Sequence, residues 1–188
     1  INGMLDGEFP DFTKVGFLIP LAKNHRRFRP IHLLETLYKA VDARVARRLL
    51  EVTEKLKLTN PAQYGSVKYG TAATPLDAFL MVAEDAICAR TEAWTGLLDC
   101  SEAFDSISDP ITDIIIATAG LPDKFAKWAR QAKHLQRRIV VTAGGQSAKE
   151  VKVKGGSQGA PTMPLFWGLA TTPILNFSNK FGGEGYEI

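Results

Sequence analysis

"GLLDCSEAFDSI", residues 96–107, closes an apolar run on Asp99 and sets a second aspartate, Asp105, six residues later. The run before it, "WTGLLD" (94–99), reads as a short buried strand. No cation stands near Asp99 in sequence, and an unpaired charge is costly to bury. Asp99 is therefore either a cap or turn residue facing water, or a ligand aimed into a cleft. The first is the ordinary reading of a lone aspartate after "GLL". The rest of the chain has to decide between them.

The 188 residues allow one domain, or one and part of another. Hydrophobic residues at 45% and charged residues at 23% suit a globular protein with a core. No apolar run reaches the roughly 20 residues that span a bilayer, and no signal-peptide pattern opens the chain, so no membrane partner is expected. Cys88 and Cys100, the only cysteines, are not spaced for zinc with His25, His32 or His134. An intracellular, reducing setting in cytoplasm or nucleus is the plain reading. The opening "INGML" lacks an initiator methionine, and the chain is expected to be cut from a longer one.

The net charge of +3 hides a sharper pattern. Residues 21–50 carry +6, residues 84–113 carry −7 and residues 123–154 carry +7. Taken alone, such blocks are solvated faces. An acidic centre between basic flanks also suits a site that gathers metal ions in the middle and phosphates around them.

"VGFLIP" (15–20) reads as a strand closed by Pro20. Leu34, Leu37, Tyr38, Val41, Val45 and Leu49 recur at helical spacing with arginines between them, predicting an amphipathic helix with a basic outer face. Residues 58–73 are turn-rich. Thr74-Pro75-Leu76-Asp77 predicts a capped helix to about Ala89 that buries Leu76, Phe79, Leu80, Ala83 and Ile87. "ITDIIIATAG" predicts a short buried helix stopped by Gly120. "LPDKFAKWARQAKHLQ" predicts a helix with Phe125, Trp128, Ala129, Ala132 and Leu135 on one face. Alternation on either side of Gly144-Gly145 signals a hairpin, and residues 161–178 an apolar helix interrupted by Pro164 and Pro173. Helices and antiparallel strands without a βαβ rhythm give an α+β fold class.

Chemistry gives Asp99 a second meaning. Joining a nucleotide to a growing chain uses two magnesium ions, on the attacking hydroxyl and the leaving pyrophosphate. Magnesium takes one or two carboxylates plus phosphate oxygens. A strand-end aspartate fits, with the Cys100 carbonyl as a further oxygen.

Its surroundings favour that meaning. "DCSEAFD" (99–105) resembles the A motif of reverse transcriptases of the non-LTR retrotransposon type, Asp-x-Ser-x-Ala-Phe-Asp. "FRPIHLLETLYKAVDARVARRL" (28–49) resembles the fingers motif, and "QYGSVKYGTAATPLDA" (63–78) the Gln-x-Gly-Phe stretch with its helix. "GGSQGAPTMPLFWGL" (155–169) resembles the B motif, Gly-x-Pro-Gln-Gly-x-x-x-Ser-Pro-x-Leu-Phe, and "GLPDKFAKW" between A and B is also familiar. The four segments keep the family's order and span about Val15 to Leu169.

The resemblance implies a partial polymerase domain, mainly fingers over about 1–90 and mainly palm, with some finger-like insertions, over about 91–188, its antiparallel palm sheet packed on helices and ending before the motif C strand. It implies RNA template, DNA primer and dNTPs as partners, and Mg²⁺ as cofactor. Asp99 would be catalytic and, with the Cys100 carbonyl, bind metal. Arg29 and Lys23 would reach the triphosphate. Phe104 would lie under the sugar and exclude a 2′-hydroxyl, while Gln158 and Gly159 would contact nucleotide and template. Asp105 is expected to be structural.

The chain also departs from the family. Ser157 stands for the usual proline and Met163 for the serine before Pro164; Ser66-Val67 stand for Phe-Arg, and Trp167 lies near a position often held by asparagine. No aspartate follows Asp123, so the C motif (Tyr/Phe-x-Asp-Asp) is missing from these residues. One carboxylate cannot hold two magnesium ions, and residues 1–188 alone are expected not to polymerise. The competing readings are a domesticated or degenerate module that binds RNA or protein without catalysis, and an RNA-dependent RNA polymerase. Phe104 speaks against the last.

Overall fold

The structure is a computed structural model that describes residues 2–24, 27–134, 137–147, 151–152 and 155–180. Its helices are α1 (Asn2–Leu5), α2 (Thr36–Lys55), α3 (Ala73–Ala89), α4 (Ala103–Ser106), α5 (Asp109–Thr118), α6 (Asp123–His134) and α7 (Met163–Lys180). Its strands are β1 (Val15–Asn24), β2 (Arg27–Leu33), β3 (Arg137–Thr142), β4 (Gly145–Gln146) and β5 (Val151–Lys152). The expected α+β class is the one observed. The sheet is mixed: β1 pairs antiparallel with β2 and parallel with β3, while β4 and β5 pair antiparallel with the two ends of β3.

Pro20 does not close the first strand, which runs on to Asn24 with Pro20 opposite Pro30. The reason lies in the pleat. His32 gives its N–H to the Gln158 carbonyl at 3.3 Å, so residues of that parity on β2 turn their N–H groups away from β1. A proline at position 30 therefore costs the ladder nothing. The hairpin expected around Gly144-Gly145 forms as the β3–β4 turn, Thr142 facing Gly145.

The Glu35 carboxylate starts α2 by accepting the Tyr38 N–H at 3.0 Å. The buried stripe of α2 is Tyr38, Val41, Asp42, Ala46 and Leu49. Tyr38 and Val41 of this stripe join one buried cluster with Phe9, Ile107, Ile115 and Ile116, the α6 residues Trp128, Ala129 and Ala132, and Met163 and Phe166 of α7. Rings of Phe9 and Tyr38 lie 5.7 Å apart and those of Phe125 and Phe166 6.1 Å apart, within aromatic contact range. Leu135, expected on the same face of α6, lies outside the described residues, as do Arg26, His25 and Lys154.

Several expectations need correction. Residues 91–100 form no strand: the segment lacks regular structure and is exposed throughout, Trp94 by 90%, Leu97 by 92% and Leu98 by 94%. A strand holds only where neighbours pair its backbone and a facing layer covers its side chains, and the described residues supply neither here. Helix α3 forms, yet Leu76, Phe79, Leu80 and Ile87 face solvent, and Ala83 is only half-buried; Pro75 is its one buried residue. Thr74 is inside α3 rather than its cap; the Thr71 hydroxyl accepts the Ala73 N–H at 3.2 Å instead. Pro164 and Pro173 do not interrupt α7. Pro164 sits in the first turn, where no N–H partner is required, and the helix continues through Pro173.

Candidate functional site

The loop 155–162, ahead of α7, is where the recognised segments meet, and it is held at four points. The Gly156 N–H donates to the Phe104 carbonyl at 2.8 Å, joining the loop to α4. The Arg138 guanidinium (Nη2) donates to Ser157 Oγ at 3.0 Å. The Gln158 carbonyl accepts from His32 on β2. Thr162 donates both its N–H (3.0 Å) and its hydroxyl (2.9 Å) to the two carboxylate oxygens of Asp42 on α2.

Close approach explains the glycines of this loop. Gly155, at φ +68°, lies so near the Asp105 carbonyl that a Cβ would overlap it, and at Gly156 a Cβ would overlap Met163. Gly159 is exposed at φ +109°, a conformation few L-residues adopt. Gln63, of the Gln-x-Gly stretch, is buried and braces α7: its amide donates to the Thr171 hydroxyl at 3.2 Å and its carbonyl accepts from Gly65 N–H at 2.8 Å.

Burial sets the electrostatics. Asp42 is 1% exposed, and loss of solvation pushes its carboxyl up to about 6 against the opposing pull of both Thr162 hydrogen bonds. His32 is pulled down to about 4 by burial and then by the Arg138 charge, so it is neutral at pH 7. Arg138, 1% exposed, falls to about 10 through burial and stays charged. Partial burial, with the Glu102 charge, raises the Asp105 carboxyl.

The sequence-predicted residues divide into two groups. Phe104 is tied by its carbonyl to Gly156, in the loop that carries Gln158 and Gly159: Phe104 is half-buried against the core, Gln158 half-buried and Gly159 open to solvent. Arg29 is exposed on β2, three residues before His32, and Lys23 is exposed near the end of β1. Asp99 and Cys100 stand apart, on the exposed segment before α4. No hydrogen bond or ion pair joins Asp99 to the loop among the described residues. Among the described residues no three His, Cys, Asp or Glu side chains gather in one cluster.

Sequence reasoning missed Asp42, His32, Arg138 and Thr162 as site residues. Asp42 had a signal, since it falls four residues after Tyr38 and seven before Leu49, on the apolar stripe. Arg138 had none, because a basic residue beside Arg137 reads as surface charge. Ser157 was visible only as a departure.

No helix among the described residues is long and apolar enough to cross a membrane. A family model described as reverse transcriptase (RNA-dependent DNA polymerase) matches residues 21–183. A search of curated proteins finds no match.

Proposed function

The chain belongs to the reverse transcriptase (RNA-dependent DNA polymerase) family, and from that premise we propose that residues 1–188 are the fingers and partial palm of a non-LTR retroelement polymerase. The family's reaction is nucleotidyl transfer, and its members bind template and primer. In this reading residues up to about 90 belong mainly to the fingers and the rest mainly to the palm. Arg29 and Lys23 meet the triphosphate from the exposed hairpin, Phe104 walls the sugar, and Gln158-Gly159 touch nucleotide and template. Asp99 and the Cys100 carbonyl are oxygen donors to magnesium, joined by carboxylates that residues 1–188 do not contain.

One observation carries the reading: the B-motif loop sits between β2, which bears Arg29, and α4, which bears Phe104. Three segments distant in sequence meet where a nucleotide would need a cation, a wall and an open glycine turn. The exposed state of Asp99 favours a second reading, a module that binds RNA or protein without catalysis.

Primer extension and binding separate these outcomes. With a primed RNA template, dNTPs and Mg²⁺, the chain is expected to bind the template and extend nothing. Extension that Asp99→Asn abolishes would overturn the claim that more carboxylates are needed. Absence of binding would overturn the polymerase reading itself. Restored extension on adding the downstream coding frame, if it holds an Asp pair, separates an enzyme from a binding module.

A further inference from the structure

Arg138 is a cation in the interior, 1% exposed, on the strand that continues with Ile139, Val140 and Val141. Desolvating a guanidinium is expensive unless its donors are used. Here Nη1 donates to the Arg137 carbonyl at 3.0 Å and Nη2 to Ser157 Oγ at 3.0 Å. The path for this side chain is prepared by the neighbouring strand. Gly16 is the register partner of Arg138 on β1, and a Cβ there would overlap the Leu33 carbonyl and stand 3.3 Å from Nη1 and 3.4 Å from Cδ of the arginine. Glycine at that position accommodates both the close Leu33 carbonyl and the arginine.

The target, Ser157, is one of the residues at which this chain departs from the pattern it resembles. Proline at the position of Ser157 would restrict the loop through its own ring, with φ held near −65°. Serine leaves the torsion free, and the loop must be ordered from outside. We infer that Arg138 is a positioning residue: its buried guanidinium, lying over Gly16 and bonded to Ser157, holds the Gln158-Gly159 turn in place of the proline ring. The far end of the loop is tied separately, by Asp42 to Thr162. Arg138 thus acts on the turn through Ser157 and touches no substrate. Its consequence for template binding rests on the polymerase reading of the loop.

Amide hydrogen exchange on the whole chain tests this, because the loop's own bonds supply the probes. The Gly156 and Ala160 amides and the His32 amide report the turn, and the Thr162 amide reports the end tied by Asp42. Ser157→Ala removes only a hydroxyl, and Arg138→Met removes the charge while keeping an apolar stem. Each is expected to speed exchange at Gly156, Ala160 and His32 about tenfold, the worth of one charge-assisted hydrogen bond, with Thr162 unmoved. Adding Ser157→Pro to Arg138→Met is expected to bring Ala160 and His32 back toward the parent rate. Unchanged exchange in both single variants, an equal rise at Thr162, or failure of proline to rescue each overturns the positioning role. Affinity for a primed RNA template is read on the same variants. A looser turn with unchanged affinity leaves the arginine tie standing and counts against the loop's contact with template.

Discussion

His32 and Asp42 meet the same loop, at Gln158 and at Thr162, and their pKa values shift in opposite directions. The Asp42 carboxyl is raised from 3.8 to about 6 in the fold, so the folded state keeps a proton that the unfolded chain has released. Its contribution to stability is complete below pH 4 and is lost as pH rises through about 6. His32 is lowered from 6.5 to about 4, so its contribution is present above pH 6.5 and lost as pH falls toward 4. Shifts of this size correspond to roughly 3 kcal/mol each at full development, and in the parent they offset between pH 4 and 6.5. Urea unfolding across that range should expose them singly. Asp42→Asn is expected to lose stability as pH drops, and His32→Gln to gain it. Identical pH profiles for parent and both variants would contradict the buried placement of these groups.

At the scale of elements, α3 and the segment 91–100 contrast with α2. All three carry apolar residues at the spacing their predicted structure needs, but only α2 finds a layer to cover them. Leu76, Phe79, Leu80, Met81, Ile87, Trp94, Leu97 and Leu98 all stand exposed to water, and exposed apolar residues gathered along one stretch favour association. The dye ANS should bind the chain strongly, and the chain should self-associate as concentration rises. Leu97→Asp with Leu98→Asp is expected to reduce both while leaving the circular dichroism of the helices intact. Weak dye binding by the parent would mean that this surface is covered in solution.

For the whole molecule the charge pattern makes the testable statement. Basic groups at Lys23 and Arg29 stand exposed on the β1–β2 hairpin, and cations that neutralise phosphates release counterions. Affinity for RNA should fall with salt, and Arg29→Ala should lower the slope of log K against log salt by about 0.7 to 0.9, the share of a single phosphate that is no longer neutralised. An unchanged slope would remove Arg29 from the interface. Much of the architecture is legible in the sequence. Periodicity marks α2, α5, α6 and α7, and Gly144-Gly145 marks the hairpin. These signals are local: a helical stripe or a glycine turn is written in neighbouring residues. The setting of Asp99 is not legible in the same way, because "WTGLLD" carries strand propensity while pairing depends on partners elsewhere in the chain. Arg138 and Asp42 are hidden for a related reason. Their worth lies in hydrogen bonds to Ser157 and to Thr162, which is 120 positions from Asp42.

By itself the sequence determined the α+β class, the helices that propagate through short-range bonds, and membership in the reverse transcriptase family. Only the tertiary structure decided which charges are interior, which apolar faces stay wet, and what holds the B-motif loop. Burial and hydrogen-bond partnership belong to pairs of residues brought together across the chain, and spacing along a single strand of text does not encode them.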